Sequence, residues 1–593
     1  MCGIVGYVGS KQAQPILLNC LGRLEYRGYD SCGVAVSSNN INTCKDAIRV
    51  AALKKAAPPL SGTTGIGHTR WATHGEPSQI NAHPHLDCTG HIAVVHNGVI
   101  NNFQKLKQQL TSEGHKFISE TDTEVISHLI EKYYDGYLEK ALEATLSDIE
   151  GSYAIIVTVA GESKLGVARK NTPLIIGIGD RENFIASDVP AILDYTDRVM
   201  YLEDDDIGII TADSIKIRRH GTEVAGEEHK ITWTIEDAKK AGYEHFMLKE
   251  IHEQPKVIRD TLAEWVSSEP IVDLATLRDT GIETILILAC GTSYHAALIG
   301  KHITQELLRI PVRVELASEF NYYGHTLAGT TAIIITQSGE TADVLRSMKR
   351  LKETICQLIV ITNVVGSTAN RIADQTIYTR AGPEISVAAT KSLMAQLMVL
   401  YWLIVPHSKI EARTLASLTM ELRQLPVKVQ QVLGNEDKIL ACARYLSKYE
   451  NIFFIGRGIN FPVALEGALK LKEVSYIHAE GHAAGELKHG PSALLGSNTP
   501  VIAITTHDNT YEAMLTNIKE VKARGSPLVA LAEEGDEIIE ELADLVITIP
   551  KVDAIFSPVV NIAALQLLAY YTAKERGCSI DFPRNLAKSV TVE

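Results

Sequence analysis

Over residues 1 to about 210, short apolar runs such as Ile92-Ala93-Val94-Val95 and Tyr153-Ala154-Ile155-Ile156-Val157-Thr158-Val159 are separated by turn residues. Helical spacing of apolar positions is confined there mainly to Asn102–Ser112 and Thr123–Tyr134, so the pattern predicts an α+β or layered α/β domain. From about 212 to 245 the chain turns polar and charged (Arg218-Arg219-His220-Gly221, Gly226-Glu227-Glu228-His229-Lys230), which predicts a connector. Beyond it, apolar β-type runs alternate with helix-like segments, as in a doubly wound parallel sheet. This part is built twice. Ile285 to Ser293 followed by Tyr294-His295-Ala296-Ala297-Leu298 has a counterpart in Ile452 to Gly458 followed by Phe461 to Leu465, and Ala332 to Thr341 has one in Val501 to Thr510. Both pairs are offset by roughly 167 to 169 residues. The expected units are residues 2–215, a linker over 216–245, two sheet domains over 246–415 and 416–577, and a terminal segment over 578–593.

The bulk properties narrow the function. The chain has 593 residues, more than one hydrophobic core can serve, and its 45% hydrophobic and 22% charged residues are those of a soluble globular protein. A formal charge of −14 with no basic block argues against a nucleic-acid or anionic-membrane surface. The nine cysteines are scattered, odd in number and without C-x-x-C, which supports neither a disulfide framework nor a zinc ribbon and fits a reducing cytosol. No metal or cofactor is expected. The N-terminus lacks a signal-peptide pattern, and the most apolar stretch, Ser392 to Val405, is too short to cross a bilayer and reads as a buried helix.

Cys2 is the most informative position. Removal of Met1 would place a thiol and an α-amine on one residue, and an α-amine of pKa about 7.7 to 8.0 can exchange a proton with a thiol of pKa about 8.5. Taken alone, Cys2 reads as an ordinary buried residue ahead of Ile4-Val5-Gly6-Tyr7-Val8. Three clusters add chemistry: Gly67 to Gly75, with Arg70, Trp71, Thr73 and His74; His96-Asn97-Gly98, with the composition of an oxyanion hole; and Glu120 to Glu124, around Asp122. Each alone would pass for a turn or helix cap. Together they describe an amino-acid site with Arg70 for the α-carboxylate, Asp122 for the α-ammonium and Cys2 facing a side-chain carbonyl.

In the second half, Cys290-Gly291-Thr292-Ser293 and Thr336-Gln337-Ser338-Gly339-Glu340-Thr341 lie where strands give way to helices. Hydroxyls and N–H groups there can cradle a phosphate, and the absence of G-x-x-x-x-G-K-[ST] argues against a nucleoside triphosphate. Glu466, Lys470 and Glu473 share one helix face, which ordinarily means a salt-bridged surface helix; flanking apolar pairs Ala464-Leu465 and Ala468-Leu469 make that less attractive. Near the C-terminus Lys588 could form an imine once desolvated.

At this point the chain resembles glutamine amidotransferase domains of the N-terminal nucleophile type, through Met-Cys-Gly-Ile, Arg27 to Ser31, His-Thr-Arg-Trp-Ala-Thr-His-Gly and His-Asn-Gly in that order. The second half resembles the sugar isomerase domains of the isomerizing glutamine–fructose-6-phosphate aminotransferases, including His245 to Pro255 and Lys588 to Glu593. The resemblance implies an α+β layered N-terminal nucleophile amidotransferase domain followed by two tandem α/β doubly wound parallel-sheet sugar isomerase domains. It implies that Cys2 forms a glutamyl thioester and releases ammonia, with Asn97 and Gly98 holding the oxyanion and Arg70, Trp71, Thr73, His74, Gly98 and Asp122 around glutamine. For the sugar phosphate it implies Ser293, Thr336, Gln337, Ser338 and Thr341 at the phosphate, with Thr292, Val387 and Ala587 close to the sugar. Lys588 would form the Schiff base, Glu473 would move the proton between C1 and C2 with support from Lys470, and His489 of a neighbouring subunit would assist ring opening. Ala389 stands where the family usually carries Ser, and it lacks the hydroxyl for a sugar contact there.

These expectations amount to a cytosolic, metal-independent homodimer with glutamine and fructose 6-phosphate as substrates, opening hexosamine and UDP-N-acetylglucosamine biosynthesis. The resemblance implies that Trp71 gates the passage of ammonia. The alternatives are another amidotransferase with the same N-terminal domain, disfavoured by the lack of pyrophosphate-loop and S-G-G-x-D-S patterns, and a silent sugar-phosphate sensor, disfavoured by the joint presence of Cys2, Glu473, His489 and Lys588.

Overall fold

The computed structural model describes residues 2–231, 240–266, 284–325, 330–354, 357–408 and 410–589. The chain divides into two compact units, one spanning Met1–Ala238 and the other beginning at Lys239, with Glu340–Ala342 and Ala587–Glu593 grouped with the first.

The first unit is built on two antiparallel sheets. The eight-stranded sheet runs, neighbour to neighbour, Glu228–Lys230, Arg198–Tyr201, Ile175–Ile178, Asn183–Ala186, Gly3–Val8, Thr64–Arg70, Ser31–Ser37 and Ile41–Asp46. The seven-stranded sheet runs Thr222–Val224, Ile215–Arg219, Asp206–Ile210, Leu165–Lys170, Gly151–Val159, Ile92–Ile100 and His85–Leu86. Alternation along the strands makes the layers. Ala93 and Val95 pack with Ile4, Val8 and Ile66 between the sheets, while Ile92 and Val94 face the helices Phe103–Ser112, Glu124–Tyr133 and Leu138–Asp148 through Leu106, Leu110, Ile126, Leu129 and Leu142. Helix Ala13–Leu24 covers the far side of the eight-stranded sheet. A helix–sheet–sheet–helix layering results.

The connector expected over 216–245 begins later than its composition suggested. Ile215–Arg219, Thr222–Val224 and Glu228–Lys230 are strands at the sheet edges, where charged residues alternate with apolar ones and point to solvent. Ion pairs hold them, Arg198 to Glu228 at 2.6 Å and Arg219 to Asp206 at 2.8 Å. Residues 232–239 of that stretch, and 590–593 of the terminal segment, lie outside the described residues.

The second unit holds two five-stranded parallel sheets of identical order. Val312–Leu316, Thr284–Ala289, Thr330–Thr336, Gln357–Thr362 and Gln375–Tyr378 form one; His478–Ala483, Asn451–Gly456, Val501–Ile504, Leu528–Glu533 and Leu545–Ile549 form the other. Each follows the order second, first, third, fourth, fifth. The chain therefore reverses direction between the first and third strands, and the crevice where such sheets bind ligands opens at the carboxyl ends of those two. One buried cluster joins both halves, drawing on helices Lys391–Ile404, Ala412–Leu433, Asn460–Ser475 and Ser557–Glu575. Helix Ala412–Leu433 crosses the expected 415/416 boundary. Among the described residues one helix, Ala554–Glu575, is long and apolar enough to cross a membrane, and 89% of its apolar window is buried inside the unit.

Candidate functional site

Cys2 immediately precedes Gly3, which is paired with Thr69, so the thiol lies beside the end of the Thr64–Arg70 strand. The Trp71 N–H donates to Sγ at 3.2 Å, and Sγ lies 3.5 Å from the Trp71 carbonyl. Asn97 Nδ2 donates to the Cys2 carbonyl at 3.0 Å, bringing the Ile92–Ile100 strand of the other sheet to the same point. Arg27 Nε reaches that carbonyl at 3.4 Å while its Nη1 is paired with Asp188 at 2.7 Å. Burial pushes the thiol pKa up, against the Trp71 N–H and the Arg70 guanidinium, which favour thiolate. Gly98 has φ +130°, and a Cβ there would run into the Ser152 carbonyl, so no other residue fits next to Asn97.

Arg70 is buried and donates to the carbonyls of His74, Gly75 (3.0 Å) and Glu76 (3.4 Å), which fixes the loop that carries Thr73 and His74. Part of its donor capacity is thus already used in shaping the pocket wall. Asp122 accepts the Ile100 N–H at 2.8 Å and stands 4.0 Å from His74 Nδ1. Trp71 meets the Tyr29 ring edge-on at 5.8 Å. Behind this wall His68, His83, His85 and His96 are buried, and burial lowers the pKa of each, that of His68 to about 3.

The two hydroxyl-rich loops follow the first and third strands of the first parallel sheet, whose ends are in register at Ala289 and Ile335. Helix Gly291–Leu308 begins with Thr292 and Ser293 in its first turn. Thr336 Oγ1 accepts the Gly339 N–H at 3.2 Å, and the Gln337 carbonyl accepts the Asn363 N–H at 3.1 Å. Gly339 has φ +67° and sits against Ser367 so closely that a Cβ has no room. Thr341 directly precedes helix Ala342–Lys352, and Ser338 lies in the same loop.

On helix Asn460–Ser475, Glu466 and Lys470 are buried and Glu473 is half-buried, so this face is not a solvated one. Lys470 Nζ lies 2.5 Å from Glu473 and 3.7 Å from Glu466. Burial disfavours the Lys470 charge, but Glu473 and Glu466 outweigh it and raise its pKa. Glu466 also accepts from Thr292 Oγ1 at 3.1 Å and pairs with His295 Nδ1 at 2.6 Å, and Gln396 Nε2 donates to Ser293 Oγ at 3.0 Å. Thr292, Glu466, Lys470 and Glu473 are thereby linked across the two parallel-sheet halves. The Val387 N–H donates to the Asp581 carbonyl at 3.1 Å, and Ala389 is half-buried. His489 is exposed at the end of the 3₁₀ segment Ala484–His489; Ala587 and Lys588 are half-buried in the irregular segment after helix Ser557–Glu575. Sequence reasoning gave no role to Asp188 or Asp581 and none to Glu466 beyond its helix face, because their partners lie far away in the chain.

This combination defines a glutamine amidotransferase joined to a tandem phosphosugar isomerase fold. A glutamine amidotransferase domain model matches residues 68–194, and the SIS domain model matches residues 280–406 and 445–575. Proteins named glutamine–fructose-6-phosphate aminotransferase [isomerizing] from Caldanaerobacter subterraneus subsp. tengcongensis, Methanosarcina acetivorans and Thermococcus kodakarensis are 50%, 49% and 47% identical, each over 100% of both chains. The solved C-terminal domain of glucosamine-fructose-6-phosphate aminotransferase from Francisella tularensis is 37% identical, with a TM-score of 0.55, over 58% of this chain and all of that one. The chain belongs to the family of isomerizing glutamine–fructose-6-phosphate aminotransferases.

Proposed function

We propose that the two sites form one synthase in which the Cys2 site hydrolyses glutamine and the sugar isomerase site uses the ammonia on a phosphosugar. The protein converts fructose 6-phosphate and glutamine to glucosamine 6-phosphate and glutamate. The observation that carries this reading is the convergence of Cys2, Trp71 and Asn97 at one point in a chain alike over its full length to enzymes named for that reaction.

Glutamine is held with its carboxylate toward Arg70 and its ammonium toward Asp122, and its side-chain amide faces Sγ. The thiolate attacks the amide carbon, and the C–N bond breaks as the leaving nitrogen takes a proton. Water then cleaves the thioester to glutamate and returns the thiol. Asn97 Nδ2 turns from the Cys2 carbonyl to the oxyanion, and Gly98 leaves space for it. With Met1 removed, the α-amine of Cys2 carries the proton between these steps; Met1 lies outside the described residues.

In the second site the Ser293, Thr336, Gln337, Ser338 and Thr341 loops take the phosphate at helix N-termini. Lys588 forms an imine with the C2 ketone and loses water, ammonia displaces the lysine, and Glu473 moves a proton from C1 to C2 to give the 2-amino aldose. Lys470 holds Glu473 in place. His489 opens the sugar ring across a dimer in the cytoplasm. Borohydride added with fructose 6-phosphate should fix a hexose phosphate on Lys588. No adduct in active wild-type enzyme would remove the imine from the scheme.

A further inference from the structure

Four side chains in the first unit, which the glutamine site does not use, converge on one point. Cys88 follows the His85–Leu86 strand, His115 follows helix Phe103–Ser112, and His128 and Glu131 lie one turn apart on helix Glu124–Tyr133. One donor atom from each, the Cys88 Sγ, a nitrogen of each imidazole and a Glu131 oxygen, lies within 4.8 Å of all the others. Cys88 Sγ is 3.8 Å from His115 Nδ1 and 3.5 Å from His128 Nδ1, while Glu131 Oε2 is 2.9 Å and 3.1 Å from the same two nitrogens. A tetrahedron with metal–ligand bonds of about 2.0 to 2.3 Å has edges of about 3.3 to 3.7 Å, close to this set.

One carboxylate oxygen faces both imidazole Nδ1 atoms and the Cys88 N–H, and the thiol crowds the same two nitrogens. The outer shell is that of a ligand set. The Lys116 N–H donates to Cys88 Sγ at 3.3 Å, and His128 is buried with its Nε2 lacking a hydrogen bond but facing Glu124 Oε1 at 3.7 Å. Glu124 is itself fixed by the N–H groups of Ile118 and Ser119, both at 2.7 Å.

We infer that Cys88, His115, His128 and Glu131 form a structural site for a divalent transition-metal ion, zinc by the thiolate–imidazole–carboxylate donor set. With four protein ligands the site is closed to substrate. Its role is to staple the turn at Cys88 and the loop at His115 to helix Glu124–Tyr133. Separations of 27, 13 and 3 residues hide it from spacing rules built on C-x-x-C, so it departs from the metal-free expectation.

The test uses full-length protein, purified without chelator or metal-affinity resin, with metal content read by mass spectrometry. Wild type should carry, or take up from added Zn²⁺, about one ion per chain. Co²⁺ exchanged for it should give tetrahedral d–d absorption with a thiolate charge-transfer band. Cys88→Ser, at an exposed position, and His115→Gln should each weaken Zn²⁺ binding roughly tenfold or more, and Cys88→Ser should remove the charge-transfer band. Wild type that binds neither ion stoichiometrically, an octahedral cobalt spectrum without the thiolate band, or both variants binding as wild type does would overturn the assignment.

Discussion

At Cys2, burial favours thiol, and the Trp71 N–H and Arg70 favour thiolate. The net rise keeps the group protonated near neutrality, so glutaminase kcat/KM should climb as pH increases from about 6 to 9, because only thiolate attacks. A rate that falls over this range contradicts the direction of the shift. Gly98→Ala should abolish glutaminase while leaving the second unit's binding of fructose 6-phosphate intact, as measured by calorimetry, since its φ of +130° and the Ser152 carbonyl leave no room for a methyl group. The buried histidines give stability the opposite dependence from a salt-bridged imidazole. The unfolded chain protonates His68 below about 6.5, whereas the folded chain resists down to about 3, so stability is complete above 6.5 and is lost as pH falls. For this group the loss at pH 5 is about 2 kcal/mol, to which His83, His85 and His96 add in the same sense. Denaturant titrations at pH 7.5 and 5 check the sign.

At the scale of elements, the sequence carried most where local pattern and topology coincide. The two apolar repeats are strands Thr284–Ala289 and Thr330–Thr336 with counterparts Asn451–Gly456 and Val501–Ile504, because fully buried parallel strands must be continuously apolar. The strands from Ile215 to Lys230 were illegible for the reverse reason: edge strands carry the charges of a connector. Helical spacing placed Glu466, Lys470 and Glu473 on one face but could not tell a solvated face from a buried one. That depends on Thr292 and His295 arriving from a helix roughly 170 residues earlier, a packing fact rather than a local one. Asp581 was equally hidden. Its carboxylate accepts the N–H groups of Phe246 and Met247, each at 3.0 Å, and its carbonyl accepts from Val387, so it ties the start of the second unit to the chain end. Asp581→Ala should cost about 1 to 3 kcal/mol and raise KM for fructose 6-phosphate, with glutaminase unchanged. An unchanged sugar KM would detach Val387 from the sugar site.

At the scale of the whole molecule, the chemistry demands that ammonia be used before water protonates it, so hydrolysis and transfer must be coupled. Trp71, which both donates to Cys2 Sγ through its N–H and places its ring against Tyr29, stands beside the proposed glutamine site. Trp71→Ala should leave glutaminase measurable while lowering amino transfer; equal loss of both would argue that Trp71 only shapes the glutamine pocket. The central claim, that one chain passes glutamine's amide nitrogen to fructose 6-phosphate, is tested most directly with isotopically labelled amide nitrogen, following glutamate and hexosamine phosphate together. The account predicts equal yields of glutamate and labelled glucosamine 6-phosphate, both lost in Cys2→Ala. Glutamate formed without labelled hexosamine phosphate, by enzyme that turns over glutamine, would contradict it.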